Sequence, residues 1–406
     1  MRRVVLLLLT LSRMHHMLRH RTIGTLIATG ALALLAMSAA AQQPARPDSV
    51  AARPAPPRRP STPNDSLVSP EVAADGRVTF RLYAPKATEV GLGGEIAGYG
   101  KPVAMTRDAR GVWSTVTAPL APGAYQYRFV VDSVVTVDPK NLATSAAQTD
   151  LNSLVVVSRG DDFQADRPDV PHGAVAKVLY HSPTLGERRM HVYTPPGYDR
   201  GRDFPVLYLI HGGGESDESW STVGRAGFIL DNLIAAGKAR PMIVVMPYGG
   251  VGHHSAPMTS DPAKDPFTRD LLDAIIPYVE ANYRVSTRAT DRALAGLSMG
   301  GIQTLNIGLT NLDRFRWLGV FSSGWFPADL QAFEEHGARA LETTRTPPKL
   351  FWMAHGATDI AKPQSLKVIA MLGKHGINVV SKETPGGHSW TNWRDYLRDF
   401  APLLFR

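Results

Sequence analysis

The chain has 406 residues, of which 44 are basic and 36 acidic, so its formal net charge at pH 7 is +8, and it contains no cysteine. The lack of cysteine excludes disulfide bonds, a cysteine nucleophile, zinc–thiolate sites and a lipoprotein anchor. Five arginines and no acidic residue precede Ala41, and residues 42–66 contain four arginines and two aspartates. The remaining residues, 67–406, therefore carry a formal charge of only +1. A nearly neutral body predicts no nucleic-acid partner. The length is sufficient for two domains.

The amino-terminal segment has the pattern of a secretory signal peptide. A basic start at "RHR" precedes an apolar run from Ile23 to Met37, and the small residues Ala39 and Ala41 stand before Gln42. This order of features predicts export by the general route and cleavage after Ala41. The alternative is a membrane anchor, but the apolar run of about 15 residues is shorter than the roughly 20 needed to span a bilayer. We therefore expect a secreted or periplasmic protein with no stable membrane anchor once 1–41 are removed.

Residues 42–66 are predicted to form an extended linker. The stretch "QQPARPDSVAARPAPPRRPSTP" is rich in proline, alanine and arginine and has almost no side chains to bury. This composition is typical of a disordered spacer, so we expect no chemistry from it.

Residues 67–157 are predicted to form a β-sandwich. Short runs with an apolar residue at every second position, separated by glycine and proline, are typical of this architecture. The run "APGAYQYRF", together with Trp113 and "VDPKN", resembles the immunoglobulin-like modules that precede the catalytic domains of many glycan-acting enzymes. That resemblance implies carbohydrate binding as one interpretation, with core packing of Trp113 and the tyrosines as the alternative. The alternating apolar positions are Val78, Phe80 and Leu82, then Tyr125, Tyr127, Phe129 and Val131.

After a polar linker at 158–175, the pattern changes and stays changed over 176–406. Five apolar runs appear, each followed by a candidate helix, and fully apolar strands that alternate with helices predict a parallel sheet covered on both faces. The clearest helix is "DPFTRDLLDAIIPYVEANY", which has apolar residues at helical spacing despite Pro277. We therefore predict a doubly wound, mostly parallel α/β domain. The five runs are "PVLYLIHG", "MIVVMPYG", "RALAGLS", "LGVFSSG" and "KLFWMAHG".

Ser298 stands in "AGLSMGG", between the predicted strand "RALAG" and the predicted helix "GIQTLNIGL". In a Gly-x-Ser-x-Gly elbow the strained serine lifts its hydroxyl above the carboxyl edge of the sheet, and Gly296 and Gly300 leave clearance for the adjacent backbone. The start of the following helix favours developing negative charge. The pattern predicts that Ser298 is a nucleophile in an α/β-hydrolase fold.

A serine nucleophile needs a base and a carboxylate that orients the base. In this fold the order along the chain is serine, acid, histidine. His388 in "ETPGGHSW" is the predicted base because it lies in a glycine-rich loop between a strand-like run and the terminal helix, and Asp359 in "HGATD" is the predicted acid because it follows the strand "KLFWMA". Competing residues are less suitable, being inside an apolar run, at a predicted helix end, or too close in sequence to the base: His355, His375, Glu383 and Asp395.

The oxyanion hole requires two N–H groups. One is predicted from the backbone of Met299, directly after the nucleophile, and the other from Gly213 in the loop of "LIHGGG". His211 in the same stretch is expected to shape the loop and not to catalyse.

Six motifs together resemble the esterase D-type α/β-hydrolases, the carbohydrate esterase family that contains microbial feruloyl and acetyl-xylan esterases. The likeness covers 178–406, with 61 positions from nucleophile to acid and 29 from acid to base. It implies the same roles for Ser298, Asp359 and His388, with Gly213 and Met299 as oxyanion donors. The motifs are "LIHGGGESDESW", "RAGFILDNLIAAGKARPMIVVMPYG", "DLLDAIIPYVEANYRV", "AGLSMGG", "HGATD" and "GGHSW".

The resemblance implies a serine esterase that forms an acyl-enzyme on feruloyl or acetyl esters of plant polysaccharide. Trp220, Trp325, Phe326 and Trp390 are predicted to contact the substrate, with core packing of at least two of them as the alternative. Other readings are an enterobactin-type siderophore esterase, which basic residues lining the cleft would favour, and an acyltransferase to a sugar. A fourth is a carbohydrate-binding protein without catalysis.

No metal or other cofactor is expected. Side chains adjacent in sequence, such as those of His253 and His254 in "GVGHHSAPMTSDPAKDPF", are expected to point in different directions, and no well-spaced carboxylate in the sequence completes a ligand set. This stretch has no residue-by-residue counterpart in a known acid-binding loop, so the sequence leaves the acyl group open.

Overall fold

The computed structural model describes residues 59–160, 162–252, 261, 264–338, 341 and 346–406. The predicted signal peptide, most of the predicted linker, and His253 and His254 lie outside the described residues. Among the helices of the described part, none is both long and apolar enough to cross a bilayer. The chain from Pro60 to Arg406 forms one compact unit.

The first part of this unit is the β module, defined here as strands β1 to β10 with their connecting loops. It is all-β, as predicted, and its strands pair antiparallel in two sheets, ordered β1-β2-β6-β5 and β4-β3-β7-β10-β9, with β8 paired to β7. Short 3₁₀ turns occur at Pro63–Asp65 and Glu95–Ala97. The strands are β1 (Glu71–Val72), β2 (Val78–Tyr83), β3 (Val90–Gly93), β4 (Val103–Ala104), β5 (Thr106–Arg107), β6 (Val112–Val116), β7 (Gly123–Val131), β8 (Val134–Thr136), β9 (Thr144–Ala146) and β10 (Leu151–Val157).

Aromatic side chains fill the core of the β module. Alternate residues of β2 are buried, and Phe80 packs on Tyr127 with ring centroids 4.6 Å apart. Trp113 is also buried, and its indole N–H donates to the carbonyl of Ala84 at 3.0 Å. These rings therefore stabilise the sandwich, and Trp113 is not placed to stack on a sugar.

The second and larger part is the hydrolase module, built on an eight-stranded sheet ordered β11-β12-β14-β13-β15-β16-β17-β18. Strands β11, β12 and β14 pair antiparallel, and the pairs from β14 onward are parallel. All five predicted apolar runs are strands of this sheet. The strands are β11 (Ala174–Ser182), β12 (Gly186–Thr194), β13 (Val206–Ile210), β14 (Ile243–Pro247), β15 (Arg292–Leu297), β16 (Trp317–Phe321), β17 (Leu350–Gly356) and β18 (Val379–Thr384).

Helices cover both faces of this sheet. Successive side chains of a strand point to opposite faces, and Leu294 joins one apolar core while Ala293 and Ala295 join the other. The predicted doubly wound fold is confirmed. The helices are α1 (Ala226–Ala235), α2 (Pro266–Arg269), α3 (Ile276–Asn282), α4 (Met299–Thr310), α5 (Pro327–His336), α6 (Lys362–Lys374) and α7 (Trp390–Phe400), with a π-helical turn at Asp270–Ile275 and 3₁₀ turns at Tyr198–Arg200, Ala289–Asp291 and Ala401–Leu403.

The helix predicted around Pro277 is divided in the structure. Helix α2 is followed by the π-helical turn and then by α3, whose second residue is Pro277. A proline has no N–H with which to continue the helical hydrogen bonds. The wider turn directly before it therefore lets the chain continue in the same direction.

The β module and the hydrolase module are joined by buried hydrogen bonds. The guanidinium of Arg394, from α7, donates to the carbonyls of Ala124 at 2.9 Å and Val223 at 3.0 Å. The hydroxyls of Ser145 and Thr222 lie 2.7 Å apart. Because Arg394 is almost fully buried and holds one residue of each module, the two modules are fixed against each other beside the carboxyl edge of the sheet.

Candidate active site

Ser298 lies in a strained elbow between β15 and α4. Its backbone has φ 51° and ψ −117°, a conformation that non-glycine residues rarely adopt. The flanking glycines make the turn possible, because a Cβ on Gly296 would lie 2.2 Å from the carbonyl oxygen of Gly300, and one on Gly300 would lie 2.5 Å from that of His211. The result is a hydroxyl that stands clear of the sheet edge.

The structure brings the three residues of the predicted triad together. The Nε2 atom of His388 lies 3.0 Å from the Oγ atom of Ser298, and its Nδ1 atom lies 2.9 Å from the Oδ1 atom of Asp359. The three side chains come from the end of β15, the loop after β17 and the loop between β18 and α7. The imidazole of His388 also packs edge-on against Trp393, with ring centroids 5.1 Å apart, which restricts its orientation.

The buried carboxyl group of Asp359 is held in its charged form. Burial alone would raise its pKa, but the hydrogen bonds with His388 and from the Ala361 N–H, together with the nearby Ser322 hydroxyl, hold the pKa of Asp359 below its usual value. An ionised carboxylate only accepts hydrogen bonds, so Nδ1 of His388 carries the proton. Nε2 is then free to accept a hydrogen bond from Ser298.

The glycine loop after β13 faces Ser298. Buried His211, at its start, donates from Nδ1 to the carbonyl of Gly212 at 2.7 Å and accepts at Nε2 from the N–H of Gly249 at 2.9 Å. Burial lowers the pKa of His211 to about 4, so the imidazole is neutral and keeps one donor and one acceptor. The Gly212 carbonyl and the Gly213 N–H belong to one planar peptide unit. The hydrogen bond that holds the Gly212 carbonyl therefore also fixes the direction of the Gly213 N–H.

Two cavities meet at Ser298 and His388. The wide cavity, of about 330 Å³, extends from the glycine loop to the β module. The narrow cavity, of about 130 Å³, lies on the other side of the nucleophile and has mainly apolar and small walls. Its walls include Ile302, Phe326 and Ile360. An ester bound at Ser298 thus has one more polar and one more apolar compartment for its two halves.

The structure does not place the three predicted tryptophans on either cavity. Trp220, Trp325 and Trp390 are at most 1% exposed. Their indole N–H groups donate to the Ile210 carbonyl at 3.1 Å, to Asn306 Oδ1 at 2.8 Å and to Glu215 Oε1 at 3.0 Å, respectively. The expectation that they contact substrate is therefore corrected, since packing and internal hydrogen bonds account for all three, as the alternative of core packing allowed. Of the four aromatic residues predicted to contact substrate, Phe326 lines the narrow cavity.

Sequence reasoning missed two aromatic residues that do line the wide cavity, Trp393 and Tyr99. Trp393 lies one helical turn after Trp390 on α7, so the helical spacing of the two rings was a usable signal. Tyr99 belongs to the β module. Its position beside the catalytic residues depends on how the two modules dock, which no local pattern reports.

No cluster of three or more histidine, aspartate or glutamate side chains that could hold a metal ion occurs in the described part of the chain. His253 and His254 are outside it.

The fold and the site define an α/β-hydrolase with a serine, a histidine and an aspartate in hydrogen-bonding series at the carboxyl edge of the sheet. Residues 182–403 match the family described as putative esterase, which is more than half of the chain. The chain belongs to this family, and the resemblance to esterases stated from the motifs is confirmed. Residues 78–164 match the family described as the glycogen recognition site of AMP-activated protein kinase.

One relative of this chain agrees with this assignment. The chain is 31% identical over 348 residues to an endo-1,4-beta-xylanase/feruloyl esterase of Xylanibacter ruminicola, an alignment that covers 83% of this chain and 46% of that protein. The chain therefore spans less than half the length of that relative.

Two solved structures show the same fold. The feruloyl esterase module from Clostridium thermocellum, complexed with sinapinate, is 24% identical with a TM-score of 0.53 and covers 61% of this chain and 92% of that one. The enterobactin esterase of Shigella flexneri, in the presence of enterobactin, is 18% identical with a TM-score of 0.59, and the match covers 81% of this chain and 92% of that one. At these identities the likeness establishes the fold alone.

Proposed function

We propose that this protein is a serine carboxylic-ester hydrolase in which Ser298 is the nucleophile, His388 the base and Asp359 the residue that orients the base. The observation that carries the proposal is the pair of hydrogen bonds at His388, 3.0 Å to Ser298 and 2.9 Å to Asp359. A serine hydroxyl is a weak nucleophile unless a neighbouring base takes its proton, and this geometry provides that base.

The proposed reaction has two steps. Ser298 Oγ attacks the ester carbonyl carbon while His388 takes the hydroxyl proton, and His388 then gives that proton to the departing alcohol, leaving an acyl-enzyme. Water, deprotonated by His388, attacks the acyl carbon, and as the bond from that carbon to Ser298 Oγ breaks His388 gives the proton back to Ser298 Oγ, which frees the acid and regenerates the serine. The N–H groups of Gly213 and Met299 stabilise the negative oxygen in both steps, each lowering the barrier by roughly 3 to 4 kcal/mol.

The two cavities indicate how a substrate is oriented. The narrow cavity, with Phe326 and Ile360 in its walls, suits an apolar or planar acyl group. The wide cavity, with Arg128, Asp150 and Asn152 in its walls, suits a polar alcohol such as a sugar. Feruloyl or acetyl esters of plant polysaccharide combine these two halves, and the named activity of the Xylanibacter ruminicola relative supports this substrate class.

The charge of the wide cavity argues against an anionic siderophore ester. Of the described residues that line either cavity, Arg128 is the only lysine or arginine. Its guanidinium lies 3.7 Å from the carboxylate of Asp150. A catecholate would gain little from this nearly neutral surface, whereas an uncharged sugar needs no counter-charge. The structural likeness to an enterobactin esterase thus reflects shared architecture.

The proposed organisation of the chain is a signal peptide at 1–41, a linker at 42–66, a β-sandwich at 67–157, a second linker at 158–175 and a catalytic domain at 176–406. Export is proposed from the leader sequence. Amino-terminal sequencing of the protein recovered from the periplasm or medium of an expressing cell is expected to begin at Gln42.

The proposal is tested with a panel of methyl ferulate, acetylated xylan, short p-nitrophenyl esters and a catecholate siderophore. Ser298→Ala is expected to retain less than about 1% of wild-type kcat on every hydrolysed ester, while Ser158→Ala, at an exposed site in the same chain, retains full activity. A serine-directed phosphonate is expected to label Ser298 in the wild type. Ester hydrolysis by the Ser298→Ala variant at more than this level contradicts the assignment. Product analysis with and without trehalose or glucose distinguishes hydrolysis from acyl transfer.

A further inference from the structure

The β module forms part of the wall of the wide cavity. Tyr99, Gln126, Arg128, Asp150 and Asn152 of this module line the same cavity as Ser298 and His388. The nucleophile of the hydrolase module therefore opens onto a surface that the other module builds in part.

This wall is attached directly to the loop that holds the predicted oxyanion donor. The N–H of Gln148, between β9 and β10, donates to the carbonyl of Gly214 at 2.8 Å, and the hydroxyl of Ser216 donates to the carbonyl of Ala146 at 2.8 Å. These bonds, with the buried Arg394 contacts described above, hold the β module in one position relative to Ser298. A ligand group that reaches beyond the catalytic residues meets this wall.

Tyr99 supplies an exposed aromatic surface at this place. It is 62% exposed and has φ 57°. In the β module, by contrast, the rings of Phe80, Trp113, Tyr127 and Phe129 are buried in the core. Cavities that bind small molecules combine aromatic walls with a few polar groups, and the flat face of a tyrosine packs on the apolar face of a sugar ring.

The polar groups beside Tyr99 suit hydroxyl groups. Arg128 supplies N–H donors, Asp150 supplies acceptors, and the amide of Asn152 supplies both. Because the guanidinium of Arg128 and the carboxylate of Asp150 lie 3.7 Å apart, the wall presents donors and acceptors without a large net charge. Sugar hydroxyls, which donate and accept, are complementary to such a surface.

A second cavity of the β module, of about 290 Å³, lies away from the catalytic residues. It is lined by Leu67, Val68, Glu71, Arg81 and Arg110 among others, and no aromatic ring is among its described lining residues. This surface lacks the platform that sugar stacking requires. The position of Tyr99 therefore favours the active-site cavity as the place where the β module meets a glycan.

Resting on the proposed function, we infer that Tyr99, Arg128 and Asp150 of the β module bind the sugar that carries the ester, inside the catalytic cavity. The match of 78–164 to a glycogen-recognition family then reflects sugar binding at the active site, and the module contributes to specificity for glycan-linked esters. The three residues act on substrate position and leave the bond-breaking steps to Ser298 and His388.

The experiment compares two esters of the same acid with the full-length protein. The ratio of kcat/KM for a feruloylated xylo-oligosaccharide to kcat/KM for methyl ferulate measures what the sugar contributes. Tyr99→Ala and Arg128→Ala are each expected to lower this ratio about tenfold, mainly through KM, as expected for one lost binding contact. Tyr99→Phe, which keeps the ring, is expected to keep most of the ratio. An acetylated xylo-oligosaccharide with p-nitrophenyl acetate replaces the pair if the enzyme prefers acetyl.

Matched controls are Tyr83→Ala in β2 and Arg110→Ala beside the second cavity, which are expected to retain the wild-type ratio. Circular dichroism and thermal unfolding establish that each variant is folded. A wild type that hydrolyses neither ester overturns the proposed function itself. A wild type that hydrolyses both, with Tyr99→Ala and Arg128→Ala showing the wild-type ratio, overturns the inference alone. A selective loss in Arg110→Ala places the sugar site in the second cavity and also overturns it.

Discussion

The imidazole of His211 donates a hydrogen bond of 2.7 Å to the carbonyl oxygen of Gly212, its neighbour in sequence. The N–H of Gly213, on the far side of the same peptide plane, is thereby turned in the opposite direction. His211 thus acts on the oxyanion donor through the backbone and has no contact with the reacting atoms.

His211→Phe is expected to keep the ring packed on Tyr248, with which the imidazole stacks at 5.5 Å between centroids, and to lose both hydrogen bonds. With the Gly213 N–H free to turn away, kcat is expected to fall by about 10²-fold with a small change in KM. The measurement is steady-state kinetics on a p-nitrophenyl ester. His181→Phe, at an exposed histidine, is the control, and a large rise in KM with kcat retained would show that His211 acts on binding.

The elbow glycines are expected to tolerate no side chain. A Cβ on Gly300 would lie 2.5 Å from the carbonyl oxygen of His211 and 2.8 Å from that of Ile210, so both the elbow and the glycine loop would have to move. Gly300→Ala is expected to lower the free energy of unfolding by about 1–3 kcal/mol and to abolish activity.

The matched control for this substitution is Gly373→Ala in α6, where an added Cβ meets no atom within 4 Å. Alanine in an open helical position is expected to raise stability by about 0.5–1 kcal/mol. Chemical denaturation of both variants measures the two changes. Equal stability of the two variants would mean that the elbow is more adaptable than its contacts indicate.

The elements that carry the catalytic residues could be predicted from the sequence because each has a strong local signal. The apolar runs that became β13, β15 and β17 are buried at every position except the first residue of β17, so their pattern differs clearly from that of the flanking helices. The order of Ser298, Asp359 and His388 along the chain then restricted the pairing. Long separations in sequence did not matter, since parallel strands bring their carboxyl ends to one edge.

The substrate-contacting aromatics were harder to predict, for a physical reason. A tryptophan beside a catalytic loop can fill a core or line a cavity, and its chemistry is the same in both places. Trp220 and Trp390 point into the core and Trp393 points into the wide cavity because of the direction in which each helix or loop turns the side chain. The docking of the β module on the glycine loop depends on buried contacts such as that between Arg394 and Ala124, 270 positions apart. The edge hairpin β11–β12 was also missed because most of β11 is exposed and has no continuous apolar run.

The Asp359→Asn variant keeps the base, His388, but is expected to lose the carboxylate that orients it. An amide at this position presents N–H as well as carbonyl, so it no longer requires the proton of His388 to sit on Nδ1, and Nε2 loses its role as acceptor for Ser298. The expected fall in kcat is about 10⁴-fold, with Asp313→Asn on the exposed surface as the control.

The stability of the same variant tests the charge state of Asp359. Because hydrogen bonds hold its pKa below the usual value, the ionised carboxylate stabilises the fold at neutral pH, and this contribution is lost as the pH falls through the acid range. The melting temperature of the wild type is expected to exceed that of Asp359→Asn from pH 7 down to about pH 4, and to approach it only as the pH falls further, below the ordinary pKa of an aspartate. A difference that is independent of pH would assign the effect to packing.

Glu95 of the β module is the group expected to give the fold a second dependence on pH. Burial, with repulsion from Glu215, raises the pKa of Glu95 to about 7, against the attraction of Arg394 and the Gln126 and Trp390 backbone N–H groups. Between about pH 4.5 and 7 the folded protein therefore holds a proton that the unfolded chain has released. Stability is expected to fall as the pH rises through this window.

Glu95→Gln mimics the protonated carboxyl and removes this dependence. The variant and the wild type are expected to have similar melting temperatures at pH 5, and the variant is expected to become progressively more stable than the wild type towards pH 8, because only the wild type must bury a charge beside Glu215. Thermal unfolding at closely spaced pH values measures the difference, with exposed Glu89→Gln as the control that does not change it. A difference that shrinks towards pH 8 would mean that Arg394 stabilises the ionised carboxylate enough to outweigh its burial.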